Sequence, residues 1–339
     1  MHDTAVQSAE KSLAQEIVDV VLREVSRGVW KTSDKLLSER ELAEKMGVSR
    51  NTVTAAYGEL ERQGIIRRLR GKGAFLCALP SAGESFSWSG KVSNLANSLD
   101  EPVLELLARR LGGSDILYPL SAGTPSLEVF PENAYRESIG RVLMNSLPRA
   151  LAVAHTEGQW ELRQAIAGWI GVDPQNVMIL AGAQEAIDLV ARCLIEPGDT
   201  VVIDSPTYPG AIQSFRSAGA QLLPWTTNWS LNQLEELFLR YRPKLLFTMP
   251  TFQNPTGRVM SLKTRIEVLD LAHRYRVPVI EDDVYGQTFF GSHRMPECLY
   301  KLDRHSQVLS MSTFSKMLAP GLRVGWVVAP SYMIKQLSL

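Results

Sequence analysis

What this chain lacks narrows its identity first. Cysteine is scarce: Cys77, Cys193 and Cys298 stand far apart, are odd in number and show no metal-ligand spacing. That excludes a disulfide framework and a cysteine-built metal centre, and fits a reducing compartment. No uninterrupted apolar stretch approaches the ~20 residues of a membrane span. The start, Met1 to Gln7, has no basic patch followed by an apolar run, the pattern that directs secretion. Neither sign of charge dominates, with 36 basic and 36 acidic residues, so no global field advertises a polyanionic partner. Internal repeats and low-complexity tracts are absent too. The expectation is a soluble cytoplasmic chain without a metal. Its 339 residues, 45% of them hydrophobic, suffice for one small domain and one of roughly 200 residues or more.

Local charge tells more than net charge. Arg62, Arg67, Arg68, Arg70 and Lys72 follow one another with no acidic residue between them, either a solvated basic face or an electrostatic footprint. The chain before them reads as helical. Leu13, Ile17, Val20, Val21 and Val25 recur at helical spacing, and Gly28 is a plausible stop. Ser38-Glu39-Arg40-Glu41 has the form of a capping box for a second helix ending at Gly47. Ser49 then caps a third, with Val53, Ala56, Tyr57 and Leu60 on one face, ending at Gly64. Ile65–Leu69 and Ala74–Cys77 suit two short strands joined by Arg70-Gly71-Lys72-Gly73. Three helices and such a hairpin make a winged helix-turn-helix. Arg50 in the first turn of the third helix opposes the helix dipole, at a local cost of ~0.3–1 kcal/mol. A phosphate or a guanine edge in the major groove would compensate. Asn51 and Thr52 share that turn, Arg40 could clamp a phosphate, and the small basic tip Gly71-Lys72-Gly73 suits the minor groove. Ordinary surface arginines on a helical interaction module are the competing reading.

From Pro80 toward Asn97 the chain is rich in small and turn-forming residues and reads as a linker. A helix over 103–110 is expected to open the second domain. From Glu157 onward amphipathic helices alternate with short apolar runs at Val177–Leu180, Thr200–Ile203, Lys244–Met249, Val277–Ile280 and Val308–Met311. That alternation implies a mostly parallel sheet covered on both faces, whose ligands lie at the carboxyl ends of its strands. Polar residues collect there. Ala181-Gly182-Ala183-Gln184 is a small-residue turn at a helix N-terminus, able to cradle a phosphate. Tyr208 could stack on a flat heterocycle, and Asn254 lies among turn residues positioned for a specific hydrogen bond. An acid in Glu281-Asp282-Asp283-Val284-Tyr285 can keep a pyridine nitrogen protonated. Thr313, Ser315 and Arg323 surround Lys316 with groups that a phosphate requires, and Lys316 is the amine placed to form a Schiff base. Together these residues meet the needs of pyridoxal 5'-phosphate.

Both halves also resemble known families. Residues from about Leu13 to Leu79 are similar to the GntR family of winged-helix regulators. The likeness rests on Leu36-Leu37-Ser38-Glu39-Arg40-Glu41-Leu42, Ser49-Arg50-Asn51-Thr52-Val53 and Gly71-Lys72-Gly73, with Leu37 where the family usually has proline. Arg40, Ser49, Arg50, Asn51, Thr52, Gly71 and Lys72 are the candidate contacts to double-stranded DNA. From about Leu120 to Val328 the order of motifs resembles the fold-type I, class I aminotransferases. That resemblance implies Lys316 as the Schiff-base lysine and Asp282 as partner of the pyridine nitrogen. It further implies Asn254 and Tyr285 at the ring hydroxyl, Tyr208 stacked on the ring, and Ala183, Gln184, Thr313, Ser315 and Arg323 at the phosphate.

A GntR-type head on an aminotransferase-like body resembles the MocR subgroup of regulators. It implies a homodimer and an amino acid or amine as effector. The expected architecture is α/β: a winged helix-turn-helix over 1–79, a linker over 80–100, and a three-layer α/β/α domain over 101–339. Two departures stand out. Between Ala150 and Glu157 there is no tyrosine, which the family usually places before Gly158 to reach the neighbouring subunit's phosphate; His155 is the nearest substitute. The chain also stops at Leu339, so the C-terminal small subdomain, which grips a substrate carboxylate, is expected to be missing. The competing expectation is an active aminotransferase with an appended DNA-binding module.

Overall fold

The computed structural model describes residues 13–27, 29–31, 33–69, 72–77, 91–92, 123–226, 228–290 and 295–339. Most of the expected linker, the helix expected over 103–110, and Arg70 and Gly71 of the hairpin tip lie outside them. The chain divides into two units, Met1–Asn97 and Ser98–Leu339, each with its own core.

In the first unit, α1 (Leu13–Ser26), α2 (Glu39–Met46) and α3 (Arg50–Arg62) precede a hairpin of β1 (Ile66–Leu69) and β2 (Gly73–Leu76). The buried stripe of α1 is Ile17, Val18, Val21 and Val25, while Leu13 is 58% exposed. The expected stripe was turned slightly, because Val18 continues the face at helical spacing and Leu13 precedes it by a full turn. α2 begins with the expected capping box: Glu41 N–H donates to Ser38 Oγ (3.2 Å) and Ser38 N–H donates to Glu41 Oε2 (2.7 Å). Gly47, at φ +65°, closes it in the left-handed conformation that glycine adopts freely. Tyr57 is buried, and its hydroxyl donates to Leu37 O at 2.7 Å, fastening α3 to the entry of α2.

The second unit is built on a seven-stranded sheet in the order β3-β9-β8-β7-β6-β4-β5. The strands are β3 (Val177–Leu180), β4 (Thr200–Ser205), β5 (Gln221–Thr226), β6 (Leu245–Thr248), β7 (Val279–Asp282), β8 (Val308–Thr313) and β9 (Gly325–Val328). From β5 to β8 neighbours run parallel, and β9 runs antiparallel between β8 and β3. The central strands are buried throughout, as expected where helices cover both faces. One face packs on α7 (Ala183–Leu194), α8 (Pro209–Ser217) and α12 (Ser331–Leu337); the other packs on α9 (Leu231–Tyr241), α10 (Leu262–Tyr275) and α11 (Leu299–Leu302).

Near β3 and β9 the second face is covered by α6 (Trp160–Ile170). Ahead of it lie α4 (Glu132–Asn145) and the short α5 (Leu147–Ala150), in which no residue is buried. β5 and β9 were not expected. β5 carries Pro224, which an edge strand tolerates and a sequence pattern reads as an interruption. β9 follows β8 without an intervening α-helix and runs antiparallel to both neighbours, outside the strand–helix alternation that marked the others.

Candidate functional site

In the first unit the second and third helices present the candidate DNA contacts. Arg40, Ser49, Arg50, Asn51 and Lys72 are exposed and Thr52 is half-buried; Gly71 lies outside the described residues. Ser49 Oγ accepts from Thr52 N–H (3.2 Å) and lies 2.7 Å from Thr52 Oγ1, so both hydroxyls serve the helix cap. Arg50 does not depend on an outside partner to offset the dipole, because its Nε stands 3.4 Å from Glu39 Oε2. Glu39 also lies 3.9 Å from Arg68 Nη1, and Glu61 takes Arg68 Nε at 2.7 Å. The position of Arg50 therefore does not by itself require a phosphate or a base as partner. Exposed pairs of this kind contribute at most about 1 kcal/mol, so a phosphate can replace Glu39 at small cost.

In the second unit the loops at the carboxyl ends of β3, β4, β6, β7 and β8 enclose a cavity of about 500 Å3. Every residue expected to hold the cofactor lines it: Ala183, Gln184, Tyr208, Asn254, Asp282, Tyr285, Thr313, Ser315, Lys316 and Arg323. The turn into α7 has no side-chain cap, and Gly182 enters it at φ +137°. The first N–H groups of a helix lack partners within the helix, which makes this turn an anion site. A Cβ on Gly182 would lie 3.0 Å from Arg323 Nη2, so the guanidinium stands directly against the turn. Arg323 itself holds φ +51°, a left-handed conformation costing a non-glycine residue about 1–2 kcal/mol and characteristic of functional sites.

Other side chains are committed to shaping this cavity. Gln184 Nε2 donates to Gly210 O (3.2 Å) and Ser214 Oγ (3.0 Å), tying α7 to α8 and leaving its main chain for an anion. Thr313 Oγ1 accepts from Ser315 N–H (3.2 Å) and lies 2.9 Å from Val324 O, which closes the loop between β8 and β9. Lys316 Nζ donates to Gly123 O at 3.1 Å and stands 5.9 Å from the centre of the Tyr285 ring.

The electrostatics come from the buried end of β7. Burial pushes the Asp282 carboxyl up to about 7; the Val284 N–H and the Lys316 ammonium act against that, and Glu281 and Asp204 reinforce it. Asp204, at the end of β4, is pushed by burial to about 6 although it accepts from Met249 N–H (2.8 Å), Thr248 Oγ1 (3.1 Å) and Trp229 Nε1 (3.3 Å). A buried acid short of positive charge, an anion cradle with a guanidinium and an amine thus share one cavity. Pyridoxal phosphate, with its ring nitrogen, phosphate and aldehyde, fits that donor set.

Sequence reasoning missed the residues that hold these loops. Gln253 is fully buried; its Nε2 donates to Pro206 O (2.6 Å) and Asn254 O (2.9 Å), and its Oε1 accepts from Thr256 N–H (3.1 Å). It fixes the Asn254 loop to the Tyr208 loop. Arg265 on α10, also fully buried, donates to Pro250 O (2.8 Å), Thr251 Oγ1 (2.8 Å), Met260 O (3.0 Å) and Glu297 O (3.2 Å). An arginine on an amphipathic helix reads as surface, and nothing in the sequence marks these carbonyls as its partners.

The raised Asp282 has a stability consequence. Its folded value near 7 exceeds the ~3.9 of an unfolded chain, so between those values the fold binds the additional proton. Its contribution is therefore present at low pH and is lost as pH rises from about 4 to about 7. Asp282→Asn, without cofactor, should gain on the order of 1–4 kcal/mol relative to wild type at pH 8 and little at pH 4. Urea unfolding at the two pH values checks this; a difference independent of pH would mean that Asp282 does not titrate within the fold.

Comparison with known proteins agrees with this geometry. Residues 116–339 match the family "Aminotransferase class I and II", and residues 13–76 match "Bacterial regulatory proteins, gntR family". The uncharacterised HTH-type transcriptional regulator YdfD of Bacillus subtilis is 30% identical over 336 residues, 96% of this chain and 69% of that protein. The probable rhizopine catabolism regulatory protein MocR of Rhizobium meliloti is 30% identical over 96% of this chain and 66% of its own length. Among solved structures, LysN, the α-aminoadipate aminotransferase of Thermus thermophilus complexed with N-(5'-phosphopyridoxyl)-L-leucine, is 34% identical with a TM-score of 0.67. That match covers 75% of this chain, which spans 65% of the LysN chain. By its fold, its cavity and these matches, the chain belongs to the class I and II aminotransferase family and carries a gntR-family domain at its N-terminal end, the arrangement of the MocR-like regulators.

Proposed function

We propose that this protein is a sequence-specific DNA-binding transcription regulator of the cytoplasm whose aminotransferase-like unit binds pyridoxal phosphate, with an amino acid or amine as effector. One observation carries the reading: a helix-turn-helix with an exposed Arg50 shares a chain with a cavity lined by the complete set from Ala183 to Arg323. In this reading a DNA-binding head over 1–79 is joined by a linker over 80–100 to the cofactor-binding body over 101–339. When bound, the cofactor supplies an electrophilic aldehyde and a ring that draws electrons from the attached carbon. Arg323, Ser315 and the first turn of α7 hold its phosphate. Asp282, poised near neutrality, ionises against a protonated ring nitrogen. Tyr208 covers the ring, Asn254 and Tyr285 take its hydroxyl, and the Gly123 carbonyl keeps the Lys316 amine beside the aldehyde. A second copy of the chain is expected to cover α4, whose Ile139, Val142, Leu143 and Met144 are 42–88% exposed and whose helix buries no residue of its own.

The second reading is an active aminotransferase with an appended DNA module. It is favoured by the 35% identity over 257 residues to a protein named 2-aminoadipate transaminase. Amino-group transfer to a panel of keto acids separates the two: sustained turnover abolished by Lys316→Ala would establish the enzyme.

The cofactor assignment is tested by visible absorption with added pyridoxal phosphate. A band is expected in wild type and not in Lys316→Ala; a band of equal strength in both would refute the role of Lys316. DNA recognition is tested by titrating a fragment of the gene's own upstream region. Arg50→Ala should weaken binding roughly 5- to 150-fold, corresponding to about 1–3 kcal/mol for a base-reading arginine. Lys72→Ala should mainly flatten the salt dependence. Wild-type affinity in Arg50→Ala would place recognition elsewhere. Sedimentation at micromolar concentration should give a dimer, and a strict monomer would remove the second copy from the proposal.

A further inference from the structure

The sheet of the second unit has a second cavity, of about 290 Å3, on the face away from the cofactor site. Strand alternation assigns the two faces. Leu309, Met311 and Val327 pack in the core beneath α7 and α8, whereas Ser310, Ser312, Trp326 and Val328 line this cavity. The same alternation separates two adjacent acids at the end of β7. Asp282 lines the cofactor cavity and Asp283 lines the other.

Asp283, itself half-buried, is unlike the buried acids beside it. Asp204 and Glu281 accept main-chain hydrogen bonds, Glu281 from Leu299 N–H (2.6 Å) and Tyr300 N–H (3.1 Å). Asp283 Oδ1 is sealed from solvent and has no hydrogen-bond partner, although Thr251 donates to the same carboxyl. A Cβ on Gly286 would fall 2.5 and 2.6 Å from the two carboxylate oxygens, so glycine at that position leaves room for them. Arg265 acts on Asp283 by charge but no hydrogen bond joins them. Arg265 spends its donors on carbonyls and Thr251, and Lys301, at the cavity wall, pairs with Glu297 at 3.7 Å. Part of the wall is aromatic: Trp169 and Trp326 meet edge to face with centres 5.9 Å apart, and Tyr300 lines the same cavity. Aromatic faces attract cations, most strongly where water is excluded.

We propose that this cavity is a second ligand site, which takes a small organic ammonium ion with its charge against Asp283 and its body against Trp169 and Trp326. Asp283 keeps one carboxylate oxygen without a hydrogen-bond donor, which a cation in the cavity compensates by charge, and the volume admits a compact body of about ten heavy atoms. Burial, together with Glu281 and Asp282, pushes the Asp283 carboxyl up to about 8 against the opposing pull of Arg265 and the Thr251 hydrogen bond, so an arriving cation replaces a proton there. The site does not require a cofactor in the first cavity.

Benzyltrimethylammonium is the probe of choice, since it has no N–H and cannot condense with an aldehyde. The full chain is titrated at constant ionic strength by calorimetry and by tryptophan fluorescence. One saturable site is expected, with affinity reduced at least tenfold in Asp283→Asn, severalfold in Trp169→Ala, and unchanged in Lys316→Ala. Absence of saturable binding, wild-type affinity in Asp283→Asn, or loss in Lys316→Ala alone would overturn the proposal. If Asp283→Asn does not fold, Trp169→Ala decides, because Trp169 is 48% exposed and its truncation leaves the core intact; unchanged affinity in that variant would also overturn it.

Discussion

The cofactor end of the sheet depends on three stretches of backbone meeting with no side chain between them. A Cβ on Gly325 would stand 2.7 Å from Gly182 Cα and 2.9 Å from Ser312 O. Because neither glycine has one, β9 lies close against the β3–α7 turn and β8. That approach puts three phosphate-binding elements side by side: the uncapped start of α7, Arg323 just ahead of β9, and Ser315 just beyond β8. Arg323 reaches this position in a left-handed conformation, a local cost that the surrounding hydrogen bonds must offset. The Thr313 hydroxyl, bonded to Val324 O and Ser315 N–H, closes that loop.

Charge imposes the second constraint. Asp204, Glu281, Asp282 and Asp283 crowd the carboxyl ends of β4 and β7 in surroundings from which water is excluded, with Arg265 and Lys316 as the nearby cations. Main-chain N–H groups and Arg265 satisfy Asp204 and Glu281. Asp282 and Asp283, on opposite faces of one sheet, stay raised in proton affinity although Lys316 and Arg265 respectively act against it. A fold selected for stability alone would not keep both; an acid retained at that cost points to a ligand that relieves it. The two cavities are thus related by the period of a strand: successive residues face opposite ways, and each acid serves its own space.

Much of this was legible because the signals are local. The capping box at Ser38, the Gly47 stop and the order of motifs from Gly182 to Arg323 depend on residues a few positions apart. Where the sequence was silent, the cause is interaction over long separations. Arg265 and Gln253 look like ordinary helix and loop residues, and only the fold supplies their buried carbonyl partners. β9 is four residues long and gains its identity by lying between β8 and β3. α4 has apolar residues at helical spacing yet buries none, so periodicity alone could not say what covers it. The inference from Arg50 was weaker than it looked for the same reason, since Glu39 compensates it from a neighbouring helix.

Whether such a chain regulates or catalyses is not decided by the cavity. A lysine, a buried acid and an anion cradle are needed to hold the cofactor in either role. The discriminating residues lie in the other unit, where α3 exposes Arg50 and Asn51, which amino-group transfer does not require. Holding a cofactor, moreover, is not yet sensing. A ligand shifts an equilibrium only by its difference in affinity for the two states, so a cofactor bound equally well in both would report nothing. A signal needs a second chemical event that one state accommodates better. Exchange of an amine at Lys316 is one such event, and occupation of the space beside Asp283 is another. Both act on the end of β7, where the Asp282 carboxyl raises the proton affinity of its neighbour Asp283.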